Sequence, residues 1–277
     1  MTIPQLSGIA PLADRYDGFI LDLWGVLHDG QHPMPGAVEA LQRLRAAGKR
    51  IVILSNAPRR AAAVVRRLTE IGIPAGLYDA LVTSGEATWH WLAAGGPGGQ
   101  RLYPIMAARD GNMLEGLSYQ RVERVEDADF ILNTGVESAA DKVEDFEAVL
   151  TAGARCGVVM VCANPDLIVI HAGRAEICAG ALAQRYERLG GRVHYFGKPH
   201  RPIYDSCFKL LAVADRRRIL AVGDSLRTDV AGAHSAGIGS LLVLSGIHQE
   251  ELAGGDLEAV VRRQGVSPDA AVPHFRW

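Results

Sequence analysis

The chain has 277 residues, of which 48% are hydrophobic and 22% charged, and its 29 Lys and Arg against 31 Asp and Glu leave a net charge of -2. This composition excludes a disordered chain and predicts a sizeable core, and the cancelled charge argues against a nucleic-acid groove. At ~150 residues per domain, the length suits one large domain or two smaller ones.

The opening stretch is broken by Asp14, Arg15 and Asp17, so it reads as no secretion signal. No run approaches the ~18 apolar residues of a membrane span, and a soluble, cytoplasmic protein without membrane or nucleic-acid partners is expected. The first apolar run, 19–21, opens a pattern that recurs at 51–54, 130–132, 158–161, 219–222 and 241–244. These runs are continuous rather than alternating, as strands covered by helices on both faces require. Between them, 37–47, 59–71, 143–152, 175–189 and 203–213 read as helices, with Gly48, Gly72, Gly153 and Gly190 placed as C-terminal caps. Strand and helix in alternation predict a mostly parallel, Rossmann-like α/β sheet. Cys156, Cys162, Cys178 and Cys207 lack metal-site spacing and read as reduced, buried thiols.

The middle of the chain differs. It has its own strands, the turn Gly95-Gly96-Pro97-Gly98-Gly99 and an acidic helix at 141–147. The expected division is a core formed by 1–84 and 193–277, with 85–192 inserted as an α/β cap that would serve as a lid.

In such sheets ligands bind beyond the carboxyl ends of the strands. The residues there are Asp22 after the first run, Ser55-Asn56 after the second, Gly197-Lys198 after a short strand at 193–196, and Gly223-Asp224 after the run at 219–222. Carboxylates, a hydroxyl–amide pair and a lysine on one rim suit a phosphate and a divalent cation.

These residues resemble the haloacid dehalogenase superfamily of phosphohydrolases. Asp22-Leu23-Trp24-Gly25-Val26-Leu27 is similar to its first motif, Leu54-Ser55-Asn56 to the second, Gly197-Lys198-Pro199 to the third, and Gly223-Asp224 through Asp229 to the fourth. An insertion between the second and third motifs resembles the class IIA branch of nitrophenylphosphatase-like and nucleotide-phosphatase-like enzymes, as does Asn164-Pro165-Asp166. The resemblance implies a hydrolase that removes phosphate from a small phosphorylated metabolite.

The chemistry follows from the residue types. Asp22 is the candidate nucleophile, attacking phosphorus to form an aspartyl-phosphate. Carboxylate and phosphate repel each other unless a cation intervenes, and magnesium suits oxygen ligands from Asp22 and Asp224; the resemblance adds the backbone carbonyl of Trp24. Asp229 either orients ligands from behind or caps the helix that follows. Ser55 and the amide of Asn56 would hold phosphate oxygens, Lys198 would neutralise the transferring group, and Gly25 would let the backbone turn beneath it. Asn164 and Asp166, with His171, Arg174 and Glu176, are candidate substrate contacts in the cap. Trp89 and Trp91 read as packing, Met106, Met113 and Met160 as core fillers, and Arg216 to Arg218 as a solvated turn.

The resemblance departs at Trp24, where these enzymes usually carry a second Asp that protonates the leaving oxygen. An indole offers one N–H and exchanges no proton at neutral pH. Losing a general acid–base costs about 10²–10⁴ in rate. Three readings remain open: a proton donor elsewhere (His28, Asp29, His200 or a cap residue), substrates with acidic leaving groups, or a protein that binds a phosphorylated ligand without turning it over. A homodimer is left open as the assembly.

Overall fold

The computed structural model describes residues 2–171, 174–248, 251 and 256–277, and the side chain of His171 lies outside the described residues. In chain order the first elements are α1 (Ala10–Ala13), β1 (Gly18–Leu21), α2 (Ala37–Ala46), β2 (Arg50–Ser55), α3 (Ala61–Glu70), β3 (Ala80–Thr83) and α4 (Ser84–Ala93). There follow β4 (Arg101–Ile105), β5 (Gln120–Arg121), β6 (Phe130–Asn133), α5 (Glu147–Arg155), β7 (Val159–Cys162), β8 (Ile168–His171), β9 (Arg174–Ile177) and α6 (Ala179–Arg188). The chain closes with β10 (Val193–Tyr195), α7 (Arg201–Leu211), β11 (Ile219–Gly223), α8 (Ala231–Ala236), β12 (Gly239–Val243), α9 (Leu257–Gln264) and β13 (Ala270–Val272). No helix among the described residues is long and apolar enough to cross a membrane.

Two compact units emerge: Met1–Ser55, Ala62–Val82 and Lys198–Trp277 form one, Asn56–Ala61 and Thr83–Gly197 the other. The first unit holds a six-stranded sheet in the order β13-β12-β11-β1-β2-β3. Its central strand β1 is buried along its whole length, which is why its sequence is uninterruptedly apolar. It runs parallel to both neighbours, placing Leu21 beside Ile53 of β2 and Val222 of β11. The carboxyl ends of three adjacent strands therefore lie together, and the residues that follow them share one rim.

The second unit holds a parallel sheet in the order β10-β7-β6-β4-β5 and an antiparallel pair, β8 and β9. Its core packs Leu150 of α5 and Leu182 and Tyr186 of α6 against Ile131 and Met160 of the sheet. Trp91 packs against Phe196 with ring centroids 5.2 Å apart, and Met113 is fully buried.

Several expectations are corrected. The strand at 193–196 does not join the core sheet: β10 pairs with β7, opposing Val193 to Met160, so 193–197 go with the second unit. The expected helix at 175–189 loses its first residues to β9, which pairs antiparallel with β8 and sets Arg174 opposite His171. Gly153 lies inside α5 rather than after it, because a Cβ there would come within 3.1 Å of Ile131, Val125 and the Tyr186 hydroxyl. Cys156 is exposed, whereas Cys162, Cys178 and Cys207 are buried, and none forms a disulfide.

Candidate active site

Asp22 follows the last residue of β1, and its N–H still donates to the Val222 carbonyl at 2.9 Å, continuing the ladder with β11. The chain then turns tightly. The Leu27 N–H donates to the Leu23 carbonyl at 2.9 Å and the Gly25 N–H to the His28 carbonyl at 3.0 Å. Gly25 sits at φ +77°, a left-handed backbone that favours glycine, and a Cβ there would run into the Asp224 carboxylate and approach the Gly246 Cα to 3.2 Å.

Lys198 ties the group together. Its ammonium donates to Asp22 and, at 2.7 Å, to Oδ1 of Asp229. The other oxygen of Asp229, Oδ2, accepts the Ser225 N–H at 3.1 Å, so this carboxylate has a hydrogen-bond partner at both atoms. Asp229 thus braces Lys198 and the Ser225 amide, while the helix after it, α8, has no side-chain cap. Asp224 accepts the Ile247 N–H on Oδ2 at 2.8 Å. All four side chains are buried, and one oxygen from each of Asp22, Asp224 and Asp229 lies within 4.8 Å of the others.

Three carboxylates against one ammonium leave this buried group with an excess of negative charge. Burial pushes the Asp22 carboxyl up to about 7 despite the opposing pull of Lys198, with the Asp229 charge adding to the rise. Burial raises Asp224 well above the usual carboxylate range, and the charges of Asp22 and Asp229 push it the same way. A divalent cation with a preference for oxygen ligands is what such a donor set accommodates. The residues therefore fit magnesium.

Ser55 ends β2 and is buried. Asn56 is the first residue that goes with the second unit, where its Nδ2 donates to Asp166 Oδ1 at 2.9 Å. The Asp166 N–H in turn donates to Asn164 Oδ1 at 3.0 Å, so these two expected substrate contacts also serve the internal structure of that unit. Arg174 is exposed and Glu176 half-buried on β9.

Of the alternative proton donors, two are ill suited. His28 accepts the Gly30 N–H on Nδ1 at 2.8 Å, and burial lowers its pKa to about 4, so it carries no extra proton at neutral pH. Asp29 accepts the N–H groups of His32 and Gln31, which hold its carboxyl below the usual range. His200 immediately precedes α7. The Trp24 ring packs edge-on to His28, with centroids 5.5 Å apart, and a Cβ on Gly30 would come within 2.6 Å of it.

Sequence reasoning missed the segment after β12. Gly246 and Ile247 flank Asp224, and His248 accepts the Leu226 N–H. The only residue-level signal is Gly246, where a Cβ would collide with the Asp224 side chain.

Comparison with known proteins places these features in context. Residues 19–120 match a family model for haloacid dehalogenase-like hydrolases, and residues 195–275 match a second, HAD-hydrolase-like model. The crystal structure of a haloacid dehalogenase-like family hydrolase from Brucella suis has 35% sequence identity and a TM-score of 0.87, over 98% of this chain and 99% of that one. The D-glycerol 3-phosphate phosphatase of Mycobacterium tuberculosis is 29% identical over 86% of this chain, which spans 65% of that enzyme's length. A glycerol phosphate phosphatase from M. tuberculosis, crystallised in complex with magnesium, aligns at 27% identity and a TM-score of 0.65, over 85% of this chain and 70% of that one.

Proposed function

The chain belongs to the haloacid dehalogenase-like hydrolases of class IIA, and from that membership we propose that it is a magnesium-dependent phosphatase acting on a small phosphorylated metabolite. The observation that carries the proposal is the buried group in which Lys198 bridges Asp22 and Asp229 beside Asp224. Asp22 attacks phosphorus, forming an aspartyl-phosphate as the bond to the leaving oxygen breaks. Water then attacks that phosphorus, releasing phosphate and restoring the Asp22 carboxylate. Lys198 neutralises the charge on the phosphoryl group during transfer, and the Ser55 hydroxyl and Asn56 amide hold phosphate oxygens. Asp22, Asp224 and the Trp24 carbonyl would hold magnesium, with Asp229 fixing Lys198 and the Ser225 amide behind them. Magnesium, when bound, would supply positive charge that offsets the repulsion of the carboxylate and the phosphate.

Trp24 bears on the substrate. With an indole in place of the usual acid, and with His28 neutral and Asp29 ionised at neutral pH, substrates whose leaving groups depart without a proton are favoured. Aryl and acyl phosphates are of this kind. The test is phosphate release from a broad panel of phosphate esters, with and without magnesium, by the parent and the Asp22→Asn variant. Magnesium-dependent release by the parent and none by the variant is expected, and undiminished turnover by the variant would refute the mechanism. Trp24 also supports a second reading, a protein that binds a phosphorylated ligand without turnover. Under that reading the parent releases no phosphate from any ester yet binds phosphate analogues in the presence of magnesium.

A further inference from the structure

The segment after β12 grips the site through its backbone. The Ile247 N–H donates to Asp224 Oδ2 at 2.8 Å. One residue on, His248 is buried, and its Nε2 accepts the Leu226 N–H at 3.2 Å. Leu226 lies two residues beyond Asp224 and opens the short π-helical segment Leu226–Val230, which carries Asp229. Consecutive residues of one segment thus hold the Asp224 carboxylate and the backbone step that leads from it to Asp229.

The imidazole is itself held. Because Nε2 accepts from an amide, Nδ1 carries the ring proton and donates to Glu251 Oε2 at 2.7 Å. The second oxygen of Glu251 accepts from Arg263 of α9 at 2.6 Å. The relay from Arg263 through Glu251 fixes both the tautomer and the orientation of the ring.

We propose that His248 is a positioning residue for the metal site, fixing the 224–226 backbone so that Asp224 and Asp229 keep the spacing required by a divalent cation and by Lys198. The proposal rests on the reading of Asp22 and Asp224 as magnesium ligands. Groups that orient metal ligands in this way typically change metal affinity or activity 10–100-fold when removed.

The test is calorimetric titration of the metal-free full-length protein with magnesium chloride alone. His248→Ala is expected to weaken magnesium binding about 10–100-fold. His248→Gln, whose amide oxygen supplies an acceptor for the Leu226 N–H, is expected to recover most of that loss. Magnesium affinity in His248→Ala within about twofold of the parent overturns the proposal, as does an equal loss in the Ala and Gln variants. Should His248→Ala fail to fold, Glu251→Ala decides, since it frees the ring by removing a partly exposed carboxylate. It is expected to weaken binding about threefold or more, and unchanged affinity overturns the proposal. Asp224→Asn separates the two levels of the argument. If it loses magnesium while His248→Ala keeps it, the positioning role alone fails; if it binds like the parent, or the parent binds none, the metal reading fails and takes the proposal with it.

Discussion

Replacing Asp22 with Asn tests whether the site carries more negative charge than it can hold without its cation. Asn keeps the shape of the side chain and removes one of three buried carboxylates, while Lys198 retains Asp229 at 2.7 Å. In the metal-free protein, burial carries the Asp22 carboxyl from 3.8 to about 7. A carboxyl whose folded pKa lies above its unfolded value binds its proton more tightly in the folded state, so ionising it destabilises the fold. The cost is absent below pH ~4, grows as the pH rises through the window between 3.8 and about 7, and is complete above it. At about 1.4 kcal/mol per pH unit, that window corresponds to ~4 kcal/mol. The Lys198 charge opposes that rise and the Asp229 charge adds to it, so about 1–3 kcal/mol is the gain expected for Asp22→Asn at pH 8. Urea denaturation in the presence of a chelator measures it. The variant should be more stable than the parent at pH 8, with a smaller advantage at pH 5. Magnesium should then stabilise the parent more than the variant at pH 8. A metal-free variant no more stable than its parent at pH 8 would refute the view that the site is overcharged.

The same geometry makes three further predictions. Gly246→Ala places a Cβ against the Asp224 side chain, and should weaken magnesium binding at least tenfold and cost about 1–3 kcal/mol of stability from overpacking; calorimetry and urea denaturation check the two parts. Because Asp22 must lose its proton to ligate, magnesium affinity should rise about fivefold between pH 6 and 7, and a flat profile would contradict the raised Asp22 pKa. Trp24→Asp places a carboxyl two residues after Asp22, where the sequence resemblance leads one to expect an acid, and should raise kcat/KM on alkyl phosphates by at least about tenfold while changing aryl phosphates little. Equal effects on both classes would show that leaving-group protonation does not limit the parent.

Much of the first unit was legible because its signals are local. Strands β1, β2, β11 and β12 are buried on both faces and so are written as continuous apolar runs, and Asp22 and Asp224 follow two of them and Ser55 ends a third, where the rim rule points. The alternatives for Asp229 could not be separated in this way, since its role depends on Lys198, 31 residues earlier, reaching its Oδ1. The placement of β10 failed for a related reason. Val193-His194-Tyr195 is strand-like, but nothing within three residues says whether the partner is the core sheet or β7; that choice is made by long-range register.

The loop after β12 shows a subtler limit. Its position at the rim was foreseeable, because residues 245–248 follow a strand in the same sheet. Its contribution was not, because the Ile247 group that holds Asp224 is a backbone amide, which every residue except proline possesses and no letter announces. What the sequence does record is the space such an amide requires. Gly25 and Gly246 both border the Asp224 carboxylate, and at either one a Cβ would occupy the volume that the carboxylate fills. Side-chain chemistry therefore identifies the charged groups of a rim, whereas the backbone that holds them is marked by glycines in the loops of neighbouring strands.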